Sequence, residues 1–182
     1  VGHCERFNPA FVQAAPPQTG RVVVRRLAQH PGPTAQGDVV IDLMVHDLDL
    51  LLTFGGAVHR LDVQSFKKGT RGLEHVHVVL EMASGLHADV IASQDHNGSE
   101  RSWEYPDERL RFDLHRGEAY ADHLPLPRRG GQDALCRQWR AFRESLAGNK
   151  TAIATAADAH NAVVLAERIR SEALGLEYAR AS

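Results

Sequence analysis

The chain has 182 residues, of which 43% are apolar and 24% charged, a composition typical of a folded globular domain rather than a disordered chain. Its 21 basic and 23 acidic side chains give a net charge of −2, which excludes the basic footprint expected of a nucleic-acid-binding protein. No apolar run approaches the roughly 18 residues that a membrane-spanning helix needs. Cys4 and Cys136 form no CxxC motif and no disulfide framework, which favours a reducing, cytoplasmic location.

The first part of the chain contains one dominant helical signal. Before it we expect a strand end at Val1–Arg6, a short helix at Ala10–Ala14, a strand at Arg21–Leu27 and a loop at Gln29–Gly37. The helix covers Asp38–Phe54, with Asp38 as its capping residue and Gly55-Gly56 as its end. Because it is apolar on nearly every side it should be buried, so its polar residues need an explanation. These are Asp42, His46, Asp47 and Asp49.

From Val58 to about Leu126 the apolar residues recur with period two. The strands are expected at Arg60–Lys67, Glu74–Met82, Leu86–Ser93, Ser102–Tyr105, Arg109–Leu114 and Glu118–His123, with a hairpin turn at Ala83-Ser84-Gly85. After a loop at Pro125–Gly131, helices are expected at Asp133–Leu146, ended by Gly148, and from Thr155 or Asp158 to about Leu174, ended by Gly175. Short connections favour a meander. The order predicts one α+β domain over residues 1–182, with a single open, largely antiparallel sheet and helices packed on one face.

The predicted helix places chemically active groups close together. Asp42 and His46 are four residues apart, so both lie on one helical face, and Asp49 is near the same face. A carboxylate beside an imidazole raises the imidazole pKa and orients the ring, an arrangement common in general acid–base catalysis. The same pattern is also expected of a buried polar cluster that ties a helix to a sheet. The spacing alone leaves both interpretations open.

Other polar residues also have two interpretations. Arg6 and Asn8, in the segment ERFNP, either contact a ligand or serve as a strand-end charge and an Asx-type cap before Pro9. His75, His77 and His87 suit either a zinc site or a polar sheet surface, and we favour the surface and expect no metal. The remaining histidines are interpreted as scattered surface or internally satisfied groups: His3, His59, His96, His115, His123 and His160. The arginine pairs Arg25-Arg26 and Arg128-Arg129 are expected to be solvated, or at most to contact an anionic ligand.

Two segments together, VGHCERFNPAF and GDVVIDLMVHDLDLLLTFGG, resemble the substrate domain of the Gfo/Idh/MocA oxidoreductases. Within that family they are most similar to the UDP-N-acetylglucosamine 3-dehydrogenase-like branch, and the later run GLHADVIAS is similar to the family's glycine-turn strand. The resemblance implies the C-terminal α+β half of a two-domain enzyme. The other half of such an enzyme is a Rossmann domain that binds NAD(P) and carries a catalytic lysine.

The resemblance also implies a role for each candidate residue. His46 matches the family's catalytic histidine and Asp42 the acidic residue four positions before it, while Asp49, Arg6 and Asn8 match positions near the substrate. No glycine-rich dinucleotide loop occurs in the sequence. The Rossmann domain is therefore absent, and we expect no cofactor-binding residue and no bound cofactor in this chain. NAD or NADP would belong to the full-length parent.

We therefore expect the substrate-binding and oligomerisation half of an NAD(P)-dependent sugar or nucleotide-sugar dehydrogenase. The start at Val rather than Met favours a fragment of a longer enzyme, inactive alone. An open sheet with helices on one face leaves the other face to be covered, which predicts a homo-oligomer. The alternative is a non-enzymatic, self-associating binding module that lacks the cofactor domain. We expect neither nucleic acid nor a membrane as a partner.

Overall fold

A computed structural model describes residues 2–29, 37–70, 72–128 and 133–181, with side chains up to residue 175. The helical elements are a 3-10 turn at Cys4–Phe7, α1 at Pro9–Gln13, a π-helical turn at Val40–Met44, α2 at Val45–Gly55, α3 at Ala134–Leu146 and α4 at Ala156–Ala181. The strands are β1 Gly20–Gln29, β2 Val58–Lys68, β3 Leu73–Met82, β4 Leu86–His96, β5 Glu100–Tyr105, β6 Leu110–Asp113, β7 Glu118–Ala121 and β8 Leu124–Pro125.

The described strands form one open sheet in the order β2-β3-β4-β1-β5-β6-β7-β8. β1 runs parallel to β4 and antiparallel to β5, and the other neighbours are antiparallel, which confirms the predicted α+β class. The simple meander was wrong, because β1 is inserted between β4 and β5. Short connections predict which strands follow one another, but they do not show where an earlier strand joins. Val22 and Val24 of β1 are fully buried, as a central strand allows.

One face of the sheet carries the core. Alternate residues of the strands are buried there beneath the helices, for example Val76, Val78 and Leu80 on β3, while their neighbours are less buried. Trp103 and Phe112 extend this core, and Phe11 of α1 packs against both rings. Helices α1, α2 and α4 are therefore held to the sheet by apolar burial on the predicted face.

The predicted long helix is interrupted in its first turns. Val40–Met44 forms a π-helical turn, and regular α-helix begins only at Val45 and ends at Gly55. The Asp38 carboxylate accepts a hydrogen bond from the backbone nitrogen of Val40 at 3.0 Å, which confirms its capping role. Gly56 follows the helix with φ at 78°, a conformation that glycine adopts without strain, so the predicted end is confirmed.

Both ends of the chain differ from expectation. The predicted strand at the start is a 3-10 turn, in which the Asn8 nitrogen donates to the Glu5 oxygen at 3.0 Å. The side chains of this turn are buried rather than aligned with a strand. His3 lies near Asp49 of α2, and Glu5 accepts a hydrogen bond from Arg26. α4 continues past Gly175 to Ala181, so that glycine does not end it. Gly148, in contrast, follows the end of α3 as predicted, and its φ of 83° is not helical.

The remaining predicted elements agree with the structure within a few residues where it describes them. The turn at residues 83–85 is confirmed, since the Gly85 nitrogen donates to the Met82 oxygen at 3.0 Å. Val1, most of the predicted loop at 29–37 and the end of the loop at 125–131 lie outside the described residues. No described helix combines the length and the apolar character needed to cross a membrane.

Candidate functional site

His46 lies in the first turn of α2, immediately after the π-helical turn. Its side chain is half-buried, and its Nδ1 atom is fully buried without a hydrogen-bond partner among the described residues. Nδ1 is therefore turned into the protein. Burial lowers the pKa of His46, and the charges of Arg26 and His3 lower it further against the opposing carboxylates of Asp47 and Glu5. A neutral imidazole of this kind is suited to accept a proton.

The lowered pKa of His46 is the opposite of the increase expected from the Asp42 carboxylate. Asp42 is exposed, and the main charges that act on the imidazole are those of Arg26, Asp47, His3 and Glu5. Burial and the nearby Asp38 raise the pKa of Asp42 itself. Asp42 lies within the π-helical turn, whereas His46 lies in the regular α-helix that follows it. The catalytic assignment of the two residues stays a prediction.

His3 is the second imidazole of the site. It is only 7% exposed, and its ring meets His46 edge to face with the centroids 5.9 Å apart. Its Nδ1 atom is 4.0 Å from the Asp49 carboxylate and, like that of His46, is buried without a hydrogen-bond partner among the described residues. His3 is thus neither a surface nor a satisfied histidine, which corrects its interpretation from the sequence.

Arg6 and Asp49 are brought together as a bidentate pair. The Arg6 Nε atom donates to Asp49 Oδ2 at 2.8 Å and a terminal nitrogen donates to Oδ1 at 2.6 Å, while Asp49 is 1% exposed. A further Arg6 nitrogen donates to Asp158, at the start of α4, at 3.4 Å. Arg6 therefore links the 3-10 turn, α2 and α4, and its planar guanidinium is held in one orientation.

A cavity of about 480 Å³ opens beside this pair, between α2 and α4. Its walls are mostly apolar, with Arg6 and Asp158 at one side and Arg168 among the polar groups. Its lining is Arg6, Leu52, Thr53, Gly56, Ala57, Val58, Asp158, Asn161, Val164, Leu165 and Arg168. A pocket of this size with a few fixed polar groups is typical of small-molecule sites.

Asn8 is a buried structural partner of the site. Its Oδ1 atom accepts from the Ala10 nitrogen at 3.1 Å, which confirms the Asx-type cap of α1. Its Nδ2 atom donates to Glu5 at 2.8 Å and to the Leu114 carbonyl at 2.9 Å. The amide thus uses its hydrogen-bonding capacity on protein groups. Its contact with a substrate stays a prediction.

A buried ion-pair network supports the site from below, and the sequence interpretation missed it. Arg26 is 4% exposed and donates to Asp47 at 2.5 and 3.2 Å and to Glu5 at 3.3 and 3.4 Å. The Trp103 indole donates to Asp47 at 3.0 Å. Burial lowers the pKa of Arg26, but Asp47 and Glu5 raise it by more, so the guanidinium stays charged. The missed signal was the alternation along β1, which places Arg26 on the same face as Val22 and Val24.

The expectation that both arginine pairs are solvated was wrong for Arg26, because Asp47 and Glu5 compensate its charge in the core. The other described members of the pairs reach solvent. Arg25 is half-buried and donates to Glu104 at 3.1 Å on the opposite face of the sheet from Arg26. Arg128 is exposed and paired with Glu118. Arg129 lies outside the described residues.

The three sheet histidines are not gathered into one site. His77 lies opposite Ile91 in the sheet register, whereas His87 lies opposite Glu81, four residues further along β3. His77 binds Asp89 at 3.1 Å, and His75 lies 3.4 Å from Ser65. In the part of the chain that is described, no group of three or more His, Cys, Asp or Glu side chains is placed to hold a metal. The geometry supports the polar-surface interpretation.

Solved structures with the same fold extend over nearly the whole chain. UDP-N-acetylglucosamine 3-dehydrogenase GnnA from Acidithiobacillus ferrooxidans matches with a TM-score of 0.79 and 22% identity, over 93% of this chain and 59% of its own. Aldose-aldose oxidoreductase from Caulobacter crescentus, complexed with glycerol, matches with a TM-score of 0.77 and 14% identity, over 96% of this chain and 61% of its own.

An oxidoreductase from Agrobacterium radiobacter was solved with NAD⁺, L-tartaric acid and magnesium. It matches with a TM-score of 0.68 and 15% identity, over 94% of this chain and 60% of its own. At these identities the likeness shows the fold. The chain spans about 60% of the length of these proteins. No curated protein matches the chain.

The family is shown by a match of a different kind. The model of the GFO/IDH/MocA C-terminal domain matches residues 6–119, which is more than half of the chain. The match includes Arg6, the π-helical turn, α2 with His46 and Asp49, and the strands up to β7. The chain belongs to the GFO/IDH/MocA C-terminal domain family.

Proposed function

We propose that this chain is the substrate-binding half of an NAD(P)-dependent sugar or nucleotide-sugar dehydrogenase, with His46 as the acid–base group. The observation that carries the proposal is the half-buried imidazole, which has one buried nitrogen and a lowered pKa, next to the fixed Arg6–Asp49 pair. Sugar dehydrogenases share the fold, which supports the substrate class. In the full-length protein, a hydride would pass from a sugar carbon to the nicotinamide.

The residues of this chain do not fit a dinucleotide site. The sequence has no GxGxxG loop, and among the described strand pairs only β1 and β4 are parallel, whereas a dinucleotide fold needs several parallel strands. We therefore assign NAD(P) to another part of the parent protein. By this assignment the isolated chain does not reduce a nicotinamide. We also propose a cytoplasmic location, in line with two free cysteines.

The chemistry assigned to this chain is a proton transfer at one atom. The neutral His46 accepts the proton of a sugar hydroxyl at Nε2 as the carbon is oxidised, and returns it in the reverse direction. The fixed Arg6–Asp49 pair helps to position the substrate, because a small displacement of a reacting hydroxyl slows such a step strongly.

The test is the His46→Ala variant of the full-length parent. Loss of a positioned acid–base group lowers the turnover number by about 10²–10⁴-fold. His59→Ala, at an exposed position of β2, is the matched control and should retain turnover. Steady-state rates of nicotinamide reduction with a nucleotide sugar measure both. Turnover of His46→Ala close to that of the control would contradict the assignment.

We also propose that the chain associates with a copy of itself through the uncovered sheet face. Three half-buried apolar side chains, Val23, Val79 and Ile91, lie at its centre. Charged groups around them pair within the face, as Arg21 does with Asp89 at 3.1 Å. A face with satisfied charges and an apolar centre suits a two-fold contact. The same face would serve a binding module without enzymatic activity, and binding of UDP-N-acetylglucosamine to the chain would favour the dehydrogenase.

Helix α3 carries a second apolar surface. Leu135, Trp139, Phe142 and Leu146 recur at helical spacing and are between 41% and 74% exposed. Contiguous exposed apolar surfaces of this kind often mark sites of contact with another protein surface. This surface supports the proposal that the chain is one part of a larger assembly.

A further inference from the structure

The His3–His46 ring pair poses a hydrogen-bonding problem within the core of the site. Each ring has a buried Nδ1 atom, and neither atom has a hydrogen-bond partner among the described residues. Buried polar atoms in folded proteins are nearly always paired, so two orphaned nitrogens on adjacent rings point to a shared partner. The rings are 5.9 Å apart at their centroids and nearly perpendicular, at 76°.

The proposed reaction defines which hydrogen His46 must carry. This step rests on the proposed function. To accept a proton at Nε2, the neutral ring must hold its own hydrogen on Nδ1, because only one nitrogen of a neutral imidazole is free to accept. That Nδ1 hydrogen points into the buried side of the ring. It needs an acceptor there, or the other tautomer is favoured and His46 cannot act as a base at Nε2.

The other groups that face His46 are committed elsewhere. Asp47 accepts from Arg26 and from the Trp103 indole, and Glu5 accepts from Arg26 and Asn8. Arg26 has no acceptor to offer. Among the described side chains that influence His46, this leaves His3.

We propose that His3 is a positioning residue for His46, and that the two Nδ1 atoms hold one internal water molecule between them. The water accepts the Nδ1 hydrogen of His46, donates one hydrogen to His3 Nδ1 and directs the other toward Asp49. Asp49 Oδ2 is 4.0 Å from His3 Nδ1 and is fixed by Arg6 at 2.8 Å. Three hydrogen bonds are typical of a buried water. His3 Nδ1 and Asp49 Oδ2, at 4.0 Å, are too far apart for a direct hydrogen bond and close enough for one water to bond to both.

The arrangement extends the site beyond the residues assigned by resemblance. It joins His46 through His3 and the water to the Arg6–Asp49 pair, and so to the cavity between α2 and α4. Arg6 and Asp49 then act on the tautomer of His46 as well as on the position of a substrate.

The first test is made on the unmodified chain. Nitrogen chemical shifts of the histidine rings, measured by NMR at neutral pH, report which nitrogen of His46 carries hydrogen. The hydrogen is expected on Nδ1. A His46 ring with its hydrogen on Nε2 would overturn the proposal without the need for any variant.

The second test uses two variants of His3. His3→Phe keeps an aromatic ring but removes the acceptor, so His46 should shift toward the Nε2–H tautomer, whereas His3→Gln keeps an acceptor and should retain more of the Nδ1–H form. His59→Gln, at an exposed position, is the control and should leave the His46 shifts unchanged. Unaltered His46 shifts in a folded His3→Phe chain would overturn the proposal.

Kinetics in the full-length parent separate this inference from the proposed function. His3→Phe should lower kcat by about tenfold or more, with little change in KM, because the base and not the substrate contact is impaired. An unchanged kcat in His3→Phe, together with a strong loss in His46→Ala, would contradict the positioning role of His3 and leave the proposed role of His46 intact. Full turnover in His46→Ala would contradict the proposed function. The dependence of the His46 tautomer on His3, measured by NMR, would not be affected by that result.

Discussion

Arg25 and Arg26 are neighbours in the sequence but lie in opposite environments. The Arg25 side chain is on the open face of β1, where it pairs with the half-exposed Glu104. The Arg26 side chain is on the helix-facing side, with two buried carboxylates and the Trp103 indole around it. Two adjacent positions of a strand point to opposite faces, so a single residue separates a surface charge from a core charge.

This contrast predicts different costs for removing each charge. Arg26→Met should lower the free energy of unfolding by about 3–5 kcal/mol, because Asp47 is left buried with an unpaired charge. Arg25→Met is the matched control and should change it by less than about 1 kcal/mol, since exposed pairs contribute little. Chemical denaturation of both variants measures the difference. Equal losses would contradict the buried network.

Asn8 shows how a residue implied as a ligand contact is also explained by local structure. Its side-chain hydrogen bonds to described residues go to Glu5, Ala10 and Leu114. Through Glu5 it also meets the Arg26 network. Its place in the site is therefore to fix the 3-10 turn and α1, which present His3 and Arg6.

At the scale of elements, the π-helical turn before α2 depends on Asp38. Its carboxylate accepts from the Val40 nitrogen, from the Leu73 nitrogen of β3 and from Arg170 of α4, each at 3.0 Å. One side chain therefore joins the start of the helix to a strand and to another helix. The position of His46, eight residues after Asp38 in the same helical run, follows from this junction.

Removal of the Asp38 carboxylate should be costly. Asp38→Ala should lower the free energy of unfolding by about 2–4 kcal/mol, since a helix cap is lost and the buried Leu73 amide is left without its acceptor. The control is Asp62→Ala on β2, where the exposed carboxylate accepts from Gln64 alone among the described contacts, and the change should stay within about 0.5 kcal/mol. Thermal and denaturant unfolding report both values. A loss in Asp38→Ala no larger than in the control would show that the junction contributes nothing.

At the scale of the whole molecule, two histidines couple stability to pH. Burial lowers the pKa of His46 and of His75 below the ordinary value of an exposed imidazole. The unfolded chain therefore takes up protons at these positions before the folded chain does as the pH falls. Their contribution to stability is complete above the unfolded pKa, near 6.5, and is lost as the pH drops through it toward the lower folded values.

We therefore expect the free energy of unfolding to decrease between about pH 7.5 and pH 5.5. His46→Gln removes one of the two groups, so its stability should fall less steeply over the same interval. Denaturation curves collected across this range for both proteins give the two slopes. Parallel slopes would contradict the neutral, buried state of His46.

The open sheet face determines the assembly that we propose. Ile91→Lys places a charge at its apolar centre and should convert the associated form to monomer at micromolar concentration. Asn97→Lys adds the same charge at an exposed bend outside the strands and should leave the assembly intact. Light scattering coupled to size-exclusion chromatography gives the mass of each. A monomeric wild-type chain would contradict association through this face.

The sequence by itself determined the elements and the family. Periodicity placed most of the strands and both long helices, because side-chain alternation is written directly in the order of residues. The pairing of the ERFNP segment with the His46 helix pointed to the family, and the family match confirms this. The bidentate contact of Arg6 with Asp49 was not written in the spacing, although the resemblance had grouped both residues near the substrate.

Only the tertiary structure decided what surrounds His46. The insertion of β1 beside β4 brings Arg26 beneath α2, and burial together with the charge of Arg26 lowers the pKa of the imidazole that Asp42 was expected to raise. His3, which had no motif of its own, becomes a neighbour of His46 when the start of the chain folds back on α2. Such contacts join residues distant in sequence, and their distances depend on how the elements pack, which local patterns of residues do not encode.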